Sequence, residues 1–319
     1  MSPPPIDRSR KWPCRGRRPQ RGAAVITALL VVALAATTAA LLLGRLSAWT
    51  DHVAVARDKA QATELARAGI DYARALLAAD AARSATDDLS EDWARELPTL
   101  HHESAEIGGR IRDAQGRFNL NNLRRDDGGV DEQALAAYRR LLAGAGLPGE
   151  LADRLADWLD ADDSRRADGA EAADYAPGAA TGSGRPLDDF PGLLRVAGYT
   201  PAVVARLNEL ACVLPGRQPV NVNTAPAEVL SAIQPGLTLA AARELAAARR
   251  ALPFRDVADF RQRIGDPGLP AALLPVAAAS RHFLVDIEVH RGAARSRVAS
   301  LVQRRTDGGS PRILWQNIQ

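Results

Sequence analysis

The chain has 319 residues, 46% of them hydrophobic but only 4% aromatic, with 41 basic against 38 acidic side chains. That length holds two domains or one domain with a large insertion, and an Ala-rich, aromatic-poor composition favours helices packed through small residues over an aromatic β core. The basic excess is confined to residues 1–22, which hold seven Arg and Lys and one acid, so the remaining 34 basic and 37 acidic residues give no global argument for nucleic acid.

After this basic leader, residues 23–43 run for twenty-one positions without a charge. At about 1.5 Å per residue they span roughly 30 Å, the thickness of a bilayer core. Secretory hydrophobic regions are shorter, about 7–15 residues, so the segment predicts a membrane helix. Ala36 and Thr38 keep a signal-peptidase route open. A basic flank stays cytoplasmic, which places everything after Arg45 on the other side. "SAWTDHVAVARDKAQATELARAGIDYARALLAADAAR" then continues without Pro, with Val55, Leu65, Ile70, Ala73 and Leu77 near helical spacing. One helix of about sixty residues is predicted.

"LPTLHHESAE" reads as a polar connector, so His101, His102, Glu103 and Glu106 are expected in a solvated loop rather than at a metal. "GGRIRDAQGRFNLNNL" sets Ile111, Phe118 and Leu120 around Asp-Ala-Gln-Gly and predicts a β-hairpin. A helical block follows, roughly 130 to 278, with Pro and Gly between its segments. Cys212 falls in "LNELACVL", read as a helical segment in which it is a small buried residue. The other cysteine, Cys14, is in the leader, so no disulfide is expected. "HFLVDIEVH" and "RSRVASLVQR" flank Arg291-Gly292-Ala293 as a second hairpin, and "PRILWQNI" adds a strand. The predicted fold is α+β: a long N-terminal helix packed on a small antiparallel sheet, interrupted by an all-α insertion with SAM-like, helix-hairpin-helix elements.

Two stretches of the block carry chemistry. In "DADDSRRADGAE", Asp160, Asp162, Ser164, Asp168 and Glu171 fall at positions 1, 3, 5, 9 and 12 of an EF-hand count. Position 6 is Arg165 where the sharp turn needs Gly, and Pro177 comes too soon for a second helix. A looser calcium site is expected, with Asp160, Asp162, Asp168, Glu171 and Asp174 as candidate ligands. The competing reading is a solvated acidic loop neutralised by Arg165 and Arg166. "VNVNTAPAEVLSAIQPGLTLAAARELAAARRALPFRDVADF" has a helix-hairpin-helix layout. Asn223 or Thr224 is expected to cap a helix with Pro226 in its first turn, and Arg243, Arg249 and Arg250 follow the Pro235-Gly236 turn. Thr238 replaces the second hairpin glycine, so the phosphate cradle is degraded and a packing module is expected. No G-x-S-x-G, Walker, HExxH or Cys–His arrangement occurs, and no catalysis is expected.

A basic leader ending in Gly22, followed by an apolar helix that runs into an amphipathic one, resembles the type IV pilin and pseudopilin superfamily. That resemblance implies a prepilin-peptidase cut between Gly22 and Ala23 and methylation of the new N-terminus. Major subunits of the superfamily carry Glu at the fifth mature position, whereas this chain has Thr27. A carboxylate in lipid is costly unless paired, so a subunit with nothing above it dispenses with one. "IRDAQGRFNLNNL", "LADWLDADDSRRADGAEAADY" and "VNVNTAPAEVLSAI" extend the resemblance to the K-type minor pseudopilins of type II secretion systems.

The family implies a non-enzymatic subunit at the pseudopilus tip that starts assembly and supports export across the outer membrane, with structural calcium at the acidic loop. The implied partners are I- and J-type minor pseudopilins, the major pseudopilin, the inner-membrane assembly platform and the prepilin peptidase, with no nucleic acid. The implied location is the cell inner membrane, single-pass, N-terminus cytoplasmic and bulk periplasmic. The corresponding divisions are a cleaved leader (1–22), a transmembrane assembly helix (23–44), a periplasmic helix with the first strands (45–129), the helical insertion (130–278) and the C-terminal strands (279–319). Small residues from Ala35 to Ala40 suit close packing against partner helices. The alternatives are a membrane-tethered helix-hairpin-helix protein for DNA uptake, a signal-anchored metal-binding protein, and a minor subunit of a type IV pilus.

Overall fold

The computed structural model describes residues 21–102, 104–176, 178, 182–265, 271–305 and 308–319. It divides into two compact units, residues 1–57 and 58–319. One 61-residue helix, α1 (Arg21–Ala81), supplies the first unit and opens the second. In the first unit its apolar side chains are exposed from Val25 to Val55. Thr37 and Thr38 donate their hydroxyls to carbonyls one turn back, Ala33 and Leu34, at 2.9 Å, so neither polar group is stranded on the apolar surface. By length and composition this helix is able to cross a membrane.

In the second unit, Ala62, Ala66, Ile70, Ala73 and Leu77 of α1 form a buried stripe at helical spacing. The expected stripe is thereby corrected at its N-terminal end, where Val55 is exposed and Leu65 half-buried. Alanines replace larger residues there because the sheet comes close. A Cβ on Gly69 would stand 2.8 Å from Ile287 Cγ2.

The sheet has five strands in the order β1-β2-β7-β8-β9. They are β1 (Leu97–His102), β2 (Ala105–Asp113), β7 (His282–Arg291), β8 (Ala294–Gln303) and β9 (Arg312–Ile318), and every pairing is antiparallel. Ile111, Phe283, Val285, Ile287, Val289, Val298 and Val302 bury one face against α1. Trp93 meets Phe283 edge-on at 5.1 Å between ring centres. The C-terminal hairpin forms as expected, with Gly292 at φ +54° in its turn.

Three expectations change. The "polar connector" is strand β1, which pairs with β2; His101 lies opposite Glu106. The Asp-Ala-Gln-Gly hairpin does not form. β2 pairs instead with β7, and β3 (Phe118–Asn119) runs parallel to β4 (Ala211–Cys212). Cys212 is therefore in a short strand rather than a helix. It is buried all the same, and burial pushes its thiol up to about 12.

Between β2 and β7 the chain builds a helical body with its own core. It comprises α2 (Glu132–Gly144), α3 (Glu150–Leu159), α4 (Pro201–Leu207), α5 (Ala227–Ile233), α6 (Leu239–Ala248) and α7 (Val257–Ile264), with a parallel pair, β5 (Val220–Asn221) and β6 (Val276–Ala277). Neither Asn223 nor Thr224 caps α5. Asn223 instead exchanges hydrogen bonds with the Phe254 backbone, and Thr224 donates to Asp113. Thr238, the degraded-cradle residue, caps α6 by accepting from Ala241 N.

Gly116 sits where the chain enters this body, and a Cβ there would lie 2.6 Å from Thr224 Oγ1 and 3.0 Å from the Thr224 carbonyl carbon. Because backbone as well as side chain must shift, Gly116→Ala is expected to destabilise the fold by about 1–3 kcal/mol. Denaturant unfolding would show it as a lowered midpoint with an unchanged slope.

Candidate metal centre

Helix α3 turns Leu151, Leu155 and Trp158 into the core and ends at Leu159, bringing Asp157 and Asp160 to one place at its C-terminus. The following loop doubles back. Ser164 N donates to Asp162 Oδ1 at 2.8 Å, and Arg166 N to Asp157 Oδ2 at 3.1 Å. Glu171 is thereby delivered beside both aspartates, and one carboxylate oxygen from each of the three lies within 4.8 Å of the others. Gly169 is required for this closure, since a Cβ there would stand 1.7 Å from Asp157 Oδ2.

The three carboxylates are 1%, 2% and 8% exposed. One guanidinium serves them incompletely: Arg166 donates to Asp157 Oδ1 at 3.1 Å and Asp160 Oδ2 at 3.0 Å, and it is shared with Glu132 of α2 at 3.1 Å. Asp160 Oδ1 and Glu171 Oε1 are buried without a hydrogen-bond partner. Burial, reinforced by Asp162, pushes the Asp160 carboxyl up to about 6. Burial and then the charges of Asp157 and Asp160 push Glu171 up to about 7. Orphaned hard oxygens, a cradle that only glycine permits and three negative charges against one shared positive charge fit a divalent cation such as calcium.

Of the residues expected from the loop count, Asp160 and Glu171 converge. Asp162 and Asp168 are exposed, and Asp174 accepts from Glu171 N at 2.9 Å and pairs with Arg165 at 3.2 Å. The neutralising role expected of Arg165 and Arg166 is thus divided between separate acids. Asp157, which the count omits, completes the trio; its signal was the one-turn spacing to Asp160. A second acidic trio, Asp80, Asp87 and Glu91, lies equally close. There Arg304 bonds Asp80 and Asp87 directly and Trp93 Nε1 donates to Glu91 at 2.6 Å, so although one guanidinium again faces three carboxylates, no buried oxygen of this trio lacks a hydrogen-bond partner.

Gly22 and Ala23 lie in the first turn of α1, and Thr27 is exposed there, its hydroxyl donating to Ala24 O at 3.0 Å. His101 is exposed 3.7 Å from Glu106, while Glu103 lies outside the described residues.

Family models for protein K of the type II secretion system match residues 116–216 and 220–279. The type II secretion system protein K of Pseudomonas aeruginosa is 36% identical over 310 residues, covering 92% of this chain and 91% of that one. The chain belongs to this family. The protein K of Klebsiella pneumoniae is 34% identical and covers 89% of the chain and 93% of its own length. The putative protein K of Escherichia coli K12 is 28% identical over 64% of the chain. The fold matches a chain in the crystal structure of the GspK-GspI-GspJ complex from enterotoxigenic E. coli, with a TM-score of 0.61 and 19% identity over 86% of this chain and 99% of that one. The protein is accordingly a K-type minor pseudopilin, and the apolar helix α1 fits the inner-membrane anchoring of that family.

Because Asp160 and Glu171 are held above their ordinary values of 3.8 and 4.5, the folded state binds more protons than the unfolded one up to about pH 7. Their contribution therefore falls as pH rises through that window, opposite to a salt-bridged carboxylate. With a chelator present, Glu171→Gln is expected to lose less thermal stability than the native chain between pH 5 and pH 8. Parallel curves would contradict this.

Proposed function

We propose that this chain is a non-enzymatic subunit at the tip of the type II secretion pseudopilus, where it starts assembly and supports export across the outer membrane. The observation that carries the proposal is the helical body set between β2 and β7, two strands that pair over nine residues. Such bulk on a pilin-like sheet, repeated at every subunit, would clash along a filament. Thr27 adds to it, since a subunit with no neighbour above needs no carboxylate at that position. In this reading the prepilin peptidase cuts between Gly22 and Ala23. The processed helix sits in the inner membrane with the body in the periplasm, and it packs against I- and J-type minor pseudopilins and then the major pseudopilin, on the inner-membrane assembly platform.

Calcium belongs to the same proposal. Asp157, Asp160 and Glu171 would hold it, and the cation would supply the positive charge that Arg166 alone does not, tying the end of α3 to the Glu171 turn. A DNA-uptake role is disfavoured by the hairpin region: the first turn of α6 is capped by Thr238, Arg249 is buried, and Arg243 pairs with Glu228 at 3.6 Å.

Two measurements test these readings. Intact mass and N-terminal sequencing of the chain from its native membranes should give a start at Ala23 with one added methyl group. A start at Met1 or beyond Leu43 would end the pseudopilin processing model. Calcium should raise the unfolding temperature at pH 8, with about 2.7 kcal/mol expected at a hundredfold excess over Kd. Asp160→Asn combined with Glu171→Gln should be more stable without calcium and indifferent to it. A native chain unmoved by calcium would remove the metal from the proposal.

A further inference from the structure

A cavity of about 360 Å³ opens between the segment Asp88–Ala94, which follows α1, and the end of α6, and it is lined by Asp88, Leu89, Ser90, Ala94, Asn223, Arg249 and Arg250. Arg249 is the unusual member. It is 6% exposed, donates one hydrogen bond to Val222 O, and has a buried Nε without a partner. Neither Arg249 nor its neighbour Arg250 makes an ion pair with any described residue. Burial, and then the charge of Arg250, holds the Arg249 guanidinium down to about 10. A buried cation without an anion costs several kcal/mol. Its place at the C-terminal end of α6, where backbone carbonyls point outward, offsets part of that cost.

The other charged group facing the cavity is Asp88, whose Oδ1 already accepts from Ser90 N at 2.7 Å and Ser90 Oγ at 2.6 Å. Two guanidiniums against one carboxylate leave a single positive charge uncompensated. Leu89, 48% exposed, and Ala94 are the apolar members of a lining that is otherwise polar. An anchored cation with a second guanidinium beside it complements an acidic side chain.

We propose that this cavity is a docking site that receives one carboxylate side chain from an assembling partner subunit, with Arg249 as the buried anchor and Arg250 as the accessible second donor. The proposal deepens the assembly role by naming the surface and the chemistry it recognises. Guanidinium and carboxylate match as two parallel hydrogen bonds. Burial of Arg249 fixes the position of its fork before the partner arrives, which reduces the entropy lost on binding.

The test has two arms. In the first, thermal unfolding of the full chain in detergent is followed in sodium propionate and in sodium chloride at equal ionic strength. Propionate should raise the midpoint by about 2 °C over chloride, as expected for weak occupancy of one site in a body of this size. Arg249→Met should remove that difference, its midpoint in chloride setting the lost hydrogen bond to Val222 O against the removal of a buried charge, and Arg250→Ser should reduce it at unchanged basal stability. In the second arm, recovery of the I- and J-type pseudopilins with the chain from its own host should fall at least tenfold for Arg249→Met, as follows from losing a buried charge pair. Equal midpoints in propionate and chloride would overturn the site. A propionate effect with undiminished partner recovery would overturn the partner as its source, leaving a free carboxylate as the ligand. The first arm reads the cavity whether or not the chain is processed at Ala23, so failure of the assembly role and failure of this site are separable.

Discussion

The inserted body is tied to the sheet by one buried carboxylate. Asp113, the last residue of β2, accepts hydrogen bonds from Ser280 Oγ and Thr224 Oγ1 at 2.6 Å, from Gln115 N at 2.7 Å and from Asn221 Nδ2 at 2.9 Å. These donors come from where the chain leaves the sheet, from the heart of the insertion and from where the chain returns. Asp87 extends the junction: it accepts from Ser280 N at 2.7 Å, and its carbonyl accepts from Asn221 at 3.0 Å. Arg304 of the C-terminal region then joins Asp87 to Asp80 at the end of α1. Burial drives Asp113 up while its donors oppose the rise. A network this dry holds only if it is complete, since each stranded polar atom costs about 1–3 kcal/mol.

The asparagines of the insertion serve the same need on a smaller scale. Its strands are two residues long and its helices are joined by irregular chain, so backbone groups are buried without ladder partners. Asn121 donates to Leu187 O and Leu214 O and accepts from Leu187 N; Asn119 accepts from Leu214 N; Asn122 accepts from Gln218 N. A primary amide donates and accepts at once, which a carboxylate does not. This is why "FNLNNL" and "VNVN" are polar sequences at buried positions.

The features legible in the sequence are those whose information is local and periodic. The apolar run and the helical spacing of Ile70, Ala73 and Leu77 define α1, and the alternation around Gly292 defines the C-terminal hairpin, because pattern and partner are adjacent in the chain. Strand β1 was hidden by His101 and His102, which are polar because an edge strand is exposed. The pairings of β2 with β7 and of β3 with β4 join residues roughly a hundred or more positions apart, and alternation carries no partner identity. Thr224 looked like a helix cap because capping is the local use of a hydroxyl, but the buried Asp113 competed for it and won. At the acidic loop, counting positions found Asp160 and Glu171, while Asp157, one helical turn before Asp160, joins Glu171 only because the loop folds back over Gly169.

The three buried charge clusters differ in one respect that bears on function. Around Arg304 no buried oxygen of Asp80, Asp87 or Glu91 is left without a hydrogen-bond partner, so the cluster leaves no polar atom stranded. At Asp157, Asp160 and Glu171 negative charge is left over, and at Arg249 and Arg250 positive charge is left over. A fold selected for stability alone would exchange such groups for apolar ones, since buried charge is expensive and stabilising substitutions are readily found. Keeping two imbalances of opposite sign makes sense when each is completed by something that arrives after folding, a cation at one and an acidic partner at the other. With both proposed sites filled, the body would be most stable once it had reached its ionic surroundings and its neighbours, and its stability would be coupled to assembly.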